Sequence, residues 1–292
     1  CFICTQALHW KTKEGLVRGC ACRGTAGFAH VSCLAEQAKI LVEEAEENNF
    51  DDGRFFSRWM RWFKCYQCEQ DYHGVVRGAL GWACWKTYLG RPENDPIRGN
   101  AMGTLGAGLH TAGQYVDALT VQEAEVAIMQ RDGSSEANLL TALGNLAGTY
   151  QDVGRFEEAM SMLRDISSRR LELDGEESRA TVIAAYNCAN TLNEIKRLEE
   201  AKSLLGKTIP VARRVYGESH ELTLRMRGMY GQVLYNDSGA TPDDLREAVN
   251  TLEETERIAR RVLGGAHPVI VAIVCDLGNA RAALSAREES DV

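Results

Sequence analysis

The sequence predicts a mostly α-helical chain in two parts, a small metal-braced module followed by a solenoid of helix pairs. Three observations predict it. Cysteines and one histidine recur in tight pairs over the first 68 residues. All five tryptophans fall in the first 85 residues, and beyond them the chain is rich in Ala, Leu, Glu and Arg, a helical composition. The second half also repeats itself, with Asn145-x-Ala147-x-Thr149 returning as Asn187-x-Ala189-x-Thr191.

A length of 292 residues suits about two domains. The boundaries expected are 1–73 for the module, 74–99 for a helical linker, 100–288 for the repeats and 289–292 for a tail. A net charge of -8 argues against a nucleic-acid binder or an anionic-membrane binder, since both need a basic face. Seven of the ten cysteines sit in CxxC, CxC and HxxC patterns, and Cys84, Cys188 and Cys275 stand alone in apolar helical stretches. That usage fits a reducing compartment, so an intracellular location, cytoplasmic or nuclear, is expected. The longest apolar run, Val269 to Cys275, has seven residues against the ~18 of a membrane span, so no span is expected. The chain begins at Cys1 without an initiator Met, which reads as trimming and leaves an upstream targeting segment open.

The paired residues are Cys1 and Cys4, Cys20 and Cys22, His30 and Cys33, Cys65 and Cys68. Structural zinc takes four Cys or His ligands in a tetrahedron, so eight ligands in pairs make two closed sites. Two successive fingers fit the spacing poorly, because one residue separates Cys20 from Cys22 and seven more precede His30. A cross-brace fits better. Cys1, Cys4, His30 and Cys33 then hold the first of two Zn2+ ions, and Cys20, Cys22, Cys65 and Cys68 the second. Interleaving lets a loop-rich stretch fold, each zinc contributing on the order of 10 kcal/mol. Arg18, Arg23 and Lys64 stand where they can offset the thiolate charge. Both sites are full, which leaves no open position for a hydrolytic water.

At these residues the chain resembles the RING-CH family, the RING variant with four cysteines, one histidine and three cysteines. The resemblance rests on CFIC at the start, Cys20 to Thr25, Phe28 two before the histidine, HxxCL at His30 to Leu34, and CxxC followed by Tyr72. A PHD finger has the same ligand order with a wider second pair. The RING-CH resemblance implies a ubiquitin-conjugating enzyme as partner, held in a groove at Ile3, Leu34 and Gln37. Two residues depart from it. The family commonly has Trp where Gln37 stands, and RING ligases often carry a cation where Glu69 stands. Trp59 or Trp62 is a candidate to refill the groove; the alternative is that Ile3, Leu34, Trp59 and Trp62 pack the module's own core.

Between the sixth and seventh ligands, an apolar stripe through Leu34, Ala38, Leu41, Val42 and Ala45 predicts a helix over 34–48. A second helix, 54–63, returns the chain to Cys65. Val75 to Leu89 is apolar on most sides and predicts a buried helix between the module and the repeats.

Repeats follow at 41, 42 and 47 residues. Arg155-x-Glu157-Glu158-Ala159 returns as Arg197-x-Glu199-Glu200-Ala201, and Ala212-Arg213-Arg214-Val215 returns as Ala259 to Val262 after a turn-rich insertion at 236–243. Each unit is two helices, with Gly106, Ala147, Ala189 and Gly231 midway along the first and Ala118, Ala159, Ala201 and Ala248 in the second. The pattern resembles the tetratricopeptide repeat of kinesin light chains, as do the endings Gly217 to His220 and Gly264 to Pro268. About four units plus a capping helix, 269–284, are covered. The histidines read as turn caps.

That resemblance implies a concave face for an extended peptide of a protein partner, with Asn145 and Asn187 on the peptide backbone. Thr104 and Met229 stand at the equivalent outer positions. Arg155 and Arg197, near the turns, suit acidic residues of the partner. The alternative is that the asparagines brace neighbouring helices.

Three functions fit these residues. One is a ubiquitin-protein ligase, which positions a thioester and an attacking lysine and needs no catalytic side chain of its own. The others are a non-catalytic interaction scaffold and a PHD-like reader of histone tails.

Overall fold

The computed structural model describes every residue except Ala266, Asp291 and Val292, and of Ser290 it describes the backbone alone. Part of the expected tail and the middle of the 264–268 turn therefore lie outside the described residues. Helices dominate those residues; the pairing between extended segments is two isolated bridges, Val17 with Ala29 and Lys64 with Asp71. The chain forms two compact units, Cys1–Val153 and Gly154–Val292.

In the first unit, helix α1 (Val31–Glu47) follows His30 and buries Leu34, Ala38, Val42 and Ala45 along one stripe. Helix α2 (Asp52–Trp59) begins at Asp51, whose carboxylate accepts from the Arg54 amide at 3.0 Å and caps the helix start. The expected single helix over 54–63 is instead α2 followed by a 3-10 turn at Met60–Trp62. The Met60 carbonyl accepts from both Phe63 and Lys64 there, and this tighter winding turns the chain back toward Cys65.

Helix α3 (Gly74–Tyr88) has two neighbours. Val76 and Leu80 pack with the cysteine module, and Cys84 and Tyr88 join Trp59, Trp62, Ala38 and Val42 in a second cluster. The helix is not buried throughout as expected, since Val75 and Trp82 are exposed. Helices α4 (Pro96–Thr111), α5 (Tyr115–Arg131) and α6 (Glu136–Asp152) complete the unit. Leu105, Leu109 and Ala118 form the α4–α5 core.

The second unit holds α7 (Phe156–Asp174), α8 (Arg179–Glu194), α9 (Leu198–Tyr216), α10 (Glu221–Asn236), α11 (Pro242–Leu263) and α12 (Pro268–Ser290). The repeat is visible in its punctuation. Gly175, Gly217 and Gly264 follow α7, α9 and α11 at φ of 78°, 96° and 79° with extended ψ, a positive-φ stop open essentially to glycine alone. Ser178 and His220 cap α8 and α10 by accepting backbone N–H groups, and His267 Nδ1 accepts from Val269. Small residues mark the close crossings, with Ala159, Ala189, Ala201 and Ala248 fully buried.

Helix α12 buries Val269, Ile270, Ile273, Leu277 and Ala280 against α10 and α11. By length and composition alone it is also long and apolar enough to cross a membrane, with mean hydropathy 1.6 over an 18-residue window and 28% of that window buried. The expectation of no such segment counted unbroken apolar runs. After Asp276, Leu277, Ala280, Ala282, Ala283 and Leu284 keep the average high without making a run.

Candidate metal centre

The two CxxC turns fold alike. The Cys4 amide approaches the Cys1 sulfur at 3.5 Å while the Thr5 amide bonds the Cys1 carbonyl. In the second turn the Glu69 amide bonds the Cys65 carbonyl in the same way. Thr5 and Glu69 close these turns in the left-handed region, at φ of 61° and 55°, where non-glycine residues are uncommon. Each turn aims two sulfurs to one side.

The other pairs arrive by different routes. Cys20 and Cys22 precede the short 3-10 turn Gly24–Gly27, which reverses the chain so that Ala29 pairs with Val17. His30 and Cys33 stand at the start of α1, three residues apart and therefore on one side of the helix. The donor atoms of Cys1, Cys4, His30 and Cys33 lie within 4.8 Å of one another, and so do those of Cys20, Cys22, Cys65 and Cys68.

A tetrahedron of sulfurs with bonds of about 2.3 Å to a central zinc has edges of about 3.8 Å. Cys22 and Cys65 are 3.7 Å apart. In the other cluster, His30 Nδ1 lies 3.4 Å from the Cys4 sulfur and 3.5 Å from the Cys33 sulfur. The His30 Nε2–H donates to the Ala7 carbonyl at 3.2 Å, which leaves the Nδ1 lone pair facing the sulfurs. His9, buried, stands edge-on to His30 with ring centroids 5.4 Å apart. Both donor sets fit zinc in size and chemistry.

Electrostatics point the same way. Burial pushes the Cys22 thiol up to about 12 and the Cys33 thiol up to about 11. Hydrogen bonding to Cys65 raises Cys20, while the Cys20 and Cys68 thiols hold Cys65 low. Four sulfurs this close cannot all ionise against one another; a dication at the centre removes that conflict. Two of the flanking cations have partners of their own. Lys64 pairs with Asp71 at 3.9 Å, and Arg18 lies over the Phe28 ring.

The expected enzyme groove is largely filled. Leu34 is 4% exposed and packs with Cys20, Cys22 and Cys65, with Ile3 against the same cluster. Trp59 and Trp62 are buried beside Tyr88, so neither refills a surface groove. Gln37 is half-buried on α1. Glu69 is held by Arg61, whose guanidinium lies 3.0 Å from its carboxylate and also donates to the Cys65 carbonyl. Exposed apolar surface lies in the loop joining the first two ligand pairs, where Leu8 and Trp10 are 60% and 70% exposed. Only their apolar character in an aperiodic stretch marks these two in the sequence.

On the repeats, Asn145 is exposed on α6 and Asn187 half-buried on α8. Thr104 and Met229 are buried, so those positions offer no surface. Arg155 and Arg197 are exposed, but each guanidinium pairs with a glutamate three residues on, Glu158 and Glu200.

A RING-variant domain profile matches residues 1–49. Tetratricopeptide repeat profiles match residues 98–172 and 181–221. The chain carries a RING-variant domain ahead of tetratricopeptide repeats. The RING-variant match contains six of the paired ligands, and Cys65 and Cys68 return to them through α2.

No curated protein matches the chain. Among solved structures, the nearly identical TPR-like repeats of a kinesin light chain candidate from Podosopora anserina are similar at 21% identity and TM-score 0.53. That likeness covers 68% of this chain and 92% of the other. A single-substitution variant of those repeats is similar at 20% identity and TM-score 0.52, covering 66% and 90%. The likeness is one of fold. The protein is thus a zinc-finger protein with repeats of a protein-interaction type.

Proposed function

We propose that this protein is a RING-type ubiquitin-protein ligase of a reducing, intracellular compartment. Its RING-variant domain holds two zinc ions, one on Cys1, Cys4, His30 and Cys33 and the other on Cys20, Cys22, Cys65 and Cys68. The domain recruits a charged ubiquitin-conjugating enzyme, and the repeats hold a substrate or adaptor. Asn145 and Asn187, each on the first helix of its repeat, hydrogen-bond a partner's peptide backbone. Transfer proceeds by placing the thioester beside the substrate lysine, so none of the chain's own side chains forms a covalent intermediate.

The observation that supports recruitment is the exposed pair Leu8 and Trp10 on a loop tied between the two clusters. Large apolar side chains held out on a rigid scaffold are what a protein partner's pocket takes. They replace Leu34, which is buried against the cysteines, and Trp59 and Trp62, which are buried against α3.

A second reading has its own support. Glu69, already paired with Arg61, is not the free cation that a RING ligase often carries there, and this favours a non-catalytic scaffold. An in vitro ubiquitination assay of the zinc-loaded chain against a panel of conjugating enzymes separates the two. Ligase activity is expected to give zinc-dependent ubiquitin chains, absent in Cys65→Ser/Cys68→Ser and reduced roughly tenfold or more in Trp10→Ala. Silence across the panel, with two zincs per chain by metal analysis, rejects the ligase and leaves the scaffold.

A further inference from the structure

Leu8 and Trp10 stand in a loop, residues 5–16, that has no helix and no hydrophobic period to hold it. A stretch of that kind is ordinarily mobile, and a partner would have to order it on binding. Here it is tied down, first to itself. The His9 amide donates to the Glu14 carbonyl at 3.0 Å and the Lys13 amide to the His9 carbonyl at 2.9 Å, so residues 9–14 close into a tight turn. The His9 ring is buried, its Nδ1 accepting from the Thr12 amide at 3.1 Å and from the Thr12 hydroxyl at 2.8 Å. Lys13 Nζ donates to the Trp10 carbonyl at 2.9 Å.

Two further ties lead to the first ligand set. His30, whose Nδ1 faces the sulfurs, gives its other N–H to the carbonyl of Ala7, the residue before Leu8, and the His9 ring stands edge-on to it from the residue after. One ligand thus touches the loop on both sides of Leu8. Glu14 reaches the start of α1, where its carboxylate accepts from the Ser32 amide at 2.8 Å. That amide is among those at a helix start with no partner inside the helix, so an anion is well placed there, and Ser32 lies between the ligands His30 and Cys33. Among the described residues, no hydrogen bond joins 5–16 to Cys20, Cys22, Cys65 or Cys68.

We propose that His9 and Glu14 are positioning residues for recruitment: they fix Leu8 and Trp10 against the first zinc site, so that the loop takes its shape from that site. Neither residue is a metal ligand, and neither belongs to the apolar stripe of α1, so each acts on the loop and leaves the ligand sets and the helix in place. A ligating histidine commonly fixes its ring through its outer N–H. Here the same bond runs outward and holds the backbone that carries the exposed side chains. The gain for binding is that the loop is ordered before the partner arrives. That gain rests on the recruitment reading above; the positioning does not.

The test is hydrogen exchange read by mass spectrometry on the intact zinc-loaded chain, with zinc per chain measured alongside. Glu14→Ala and His9→Ala are expected to keep both zincs and the protection of α1 beyond its first turn, while the amides of 5–16 exchange about tenfold faster. Glu14→Gln, whose side-chain carbonyl can still accept from Ser32, is expected to restore most of that protection. Unchanged exchange over 5–16 in Glu14→Ala overturns the proposal. So does loosening that spreads equally along α1, which would make Glu14 a residue of the fold alone. With a conjugating enzyme that yields ubiquitin chains with the parent, Glu14→Ala is expected to raise the enzyme concentration at half-maximal rate about tenfold and to leave the saturated rate unchanged. A lower saturated rate at an unchanged half-maximal concentration overturns it. If no enzyme of the panel yields chains, the ligase reading fails and the exchange result alone decides the positioning.

Discussion

The sulfurs of Cys22 and Cys65, 43 residues apart in sequence, lie 3.7 Å apart and close the loop that contains α1 and α2. The helical insertion is thereby pinned at its base by the second ligand set. Metal removal should therefore release more than the loops. Chelation is expected to unfold residues 1–73 and to fray the start of α3, whose Val76 and Leu80 pack with the cysteines. Far-UV circular dichroism should keep most of its helical signal from α4 to α12, while tryptophan emission shifts red as Trp59 and Trp62 become wet. Unchanged emission on full metal loss would sink this coupling.

The ligand sets were legible because a metal demands particular donors, and the spacing of His30, Cys33 and the CxxC pairs carries that demand in the sequence itself. The repeats were legible through small residues such as Ala159 and Ala201, whose size is dictated by a close crossing. Surface roles were less so. Leu34, Trp59 and Trp62 are apolar whether they line a groove or fill a core, and what decides is the path by which α2 folds back, a tertiary fact. Arg155 and Arg197 read as free cations near turns until the helices they precede bring Glu158 and Glu200 within reach. Exposure on α12 was hidden for the same reason, since Val271 and Val274 look like core in a one-dimensional pattern.

Glu125 of α5 supplies a pH dependence. Its Oε2 is buried without a hydrogen-bond partner, although the residue as a whole is half-buried, and desolvation pushes the carboxyl up from 4.5 to about 7. The folded state thus holds its proton more tightly than the unfolded chain. Its contribution is neutral below about pH 4.5, becomes unfavourable as pH rises toward 7, and is fully unfavourable above that. A shift of this size corresponds to a loss on the order of 3 kcal/mol between pH 4.5 and 8. Glu125→Gln is expected to be the more stable protein at pH 8 in urea titrations, with the advantage shrinking as pH approaches 5. An advantage that does not vary with pH would exclude titration of this carboxyl as its source.

Lys196 marks a second weak point. It occupies the turn between α8 and α9 at φ of 62°, where the matching positions in the two preceding units are Gly113 and Gly154 at 78° and 82°. A side chain in the left-handed region costs about 1–2 kcal/mol, and glycine gives back part of that in unfolded-state entropy. Lys196→Gly should therefore raise stability by about 0.5 kcal/mol, read as a higher denaturation midpoint at unchanged slope. A lower midpoint would mean that the lysine side chain makes a contact outweighing the strain.

Gly231 and Gly278 share one repeat position and should answer the same substitution with opposite signs. Leu252 fills the space in front of Gly231, and its Cγ and both methyl groups stand within 3.0 Å of an added Cβ. Gly231→Ala must push α11 away or force Leu252 off its rotamer, an overpacking cost of about 1–3 kcal/mol. Gly278 faces open space at ordinary helical geometry, so Gly278→Ala removes only the entropy cost of glycine within a helix and stabilises by about 0.5–1 kcal/mol. Thermal denaturation should show the first variant melting lower than the parent and the second higher. Equal shifts in the two variants would mean that the faces are equally covered, which would contradict the burial of one and the exposure of the other.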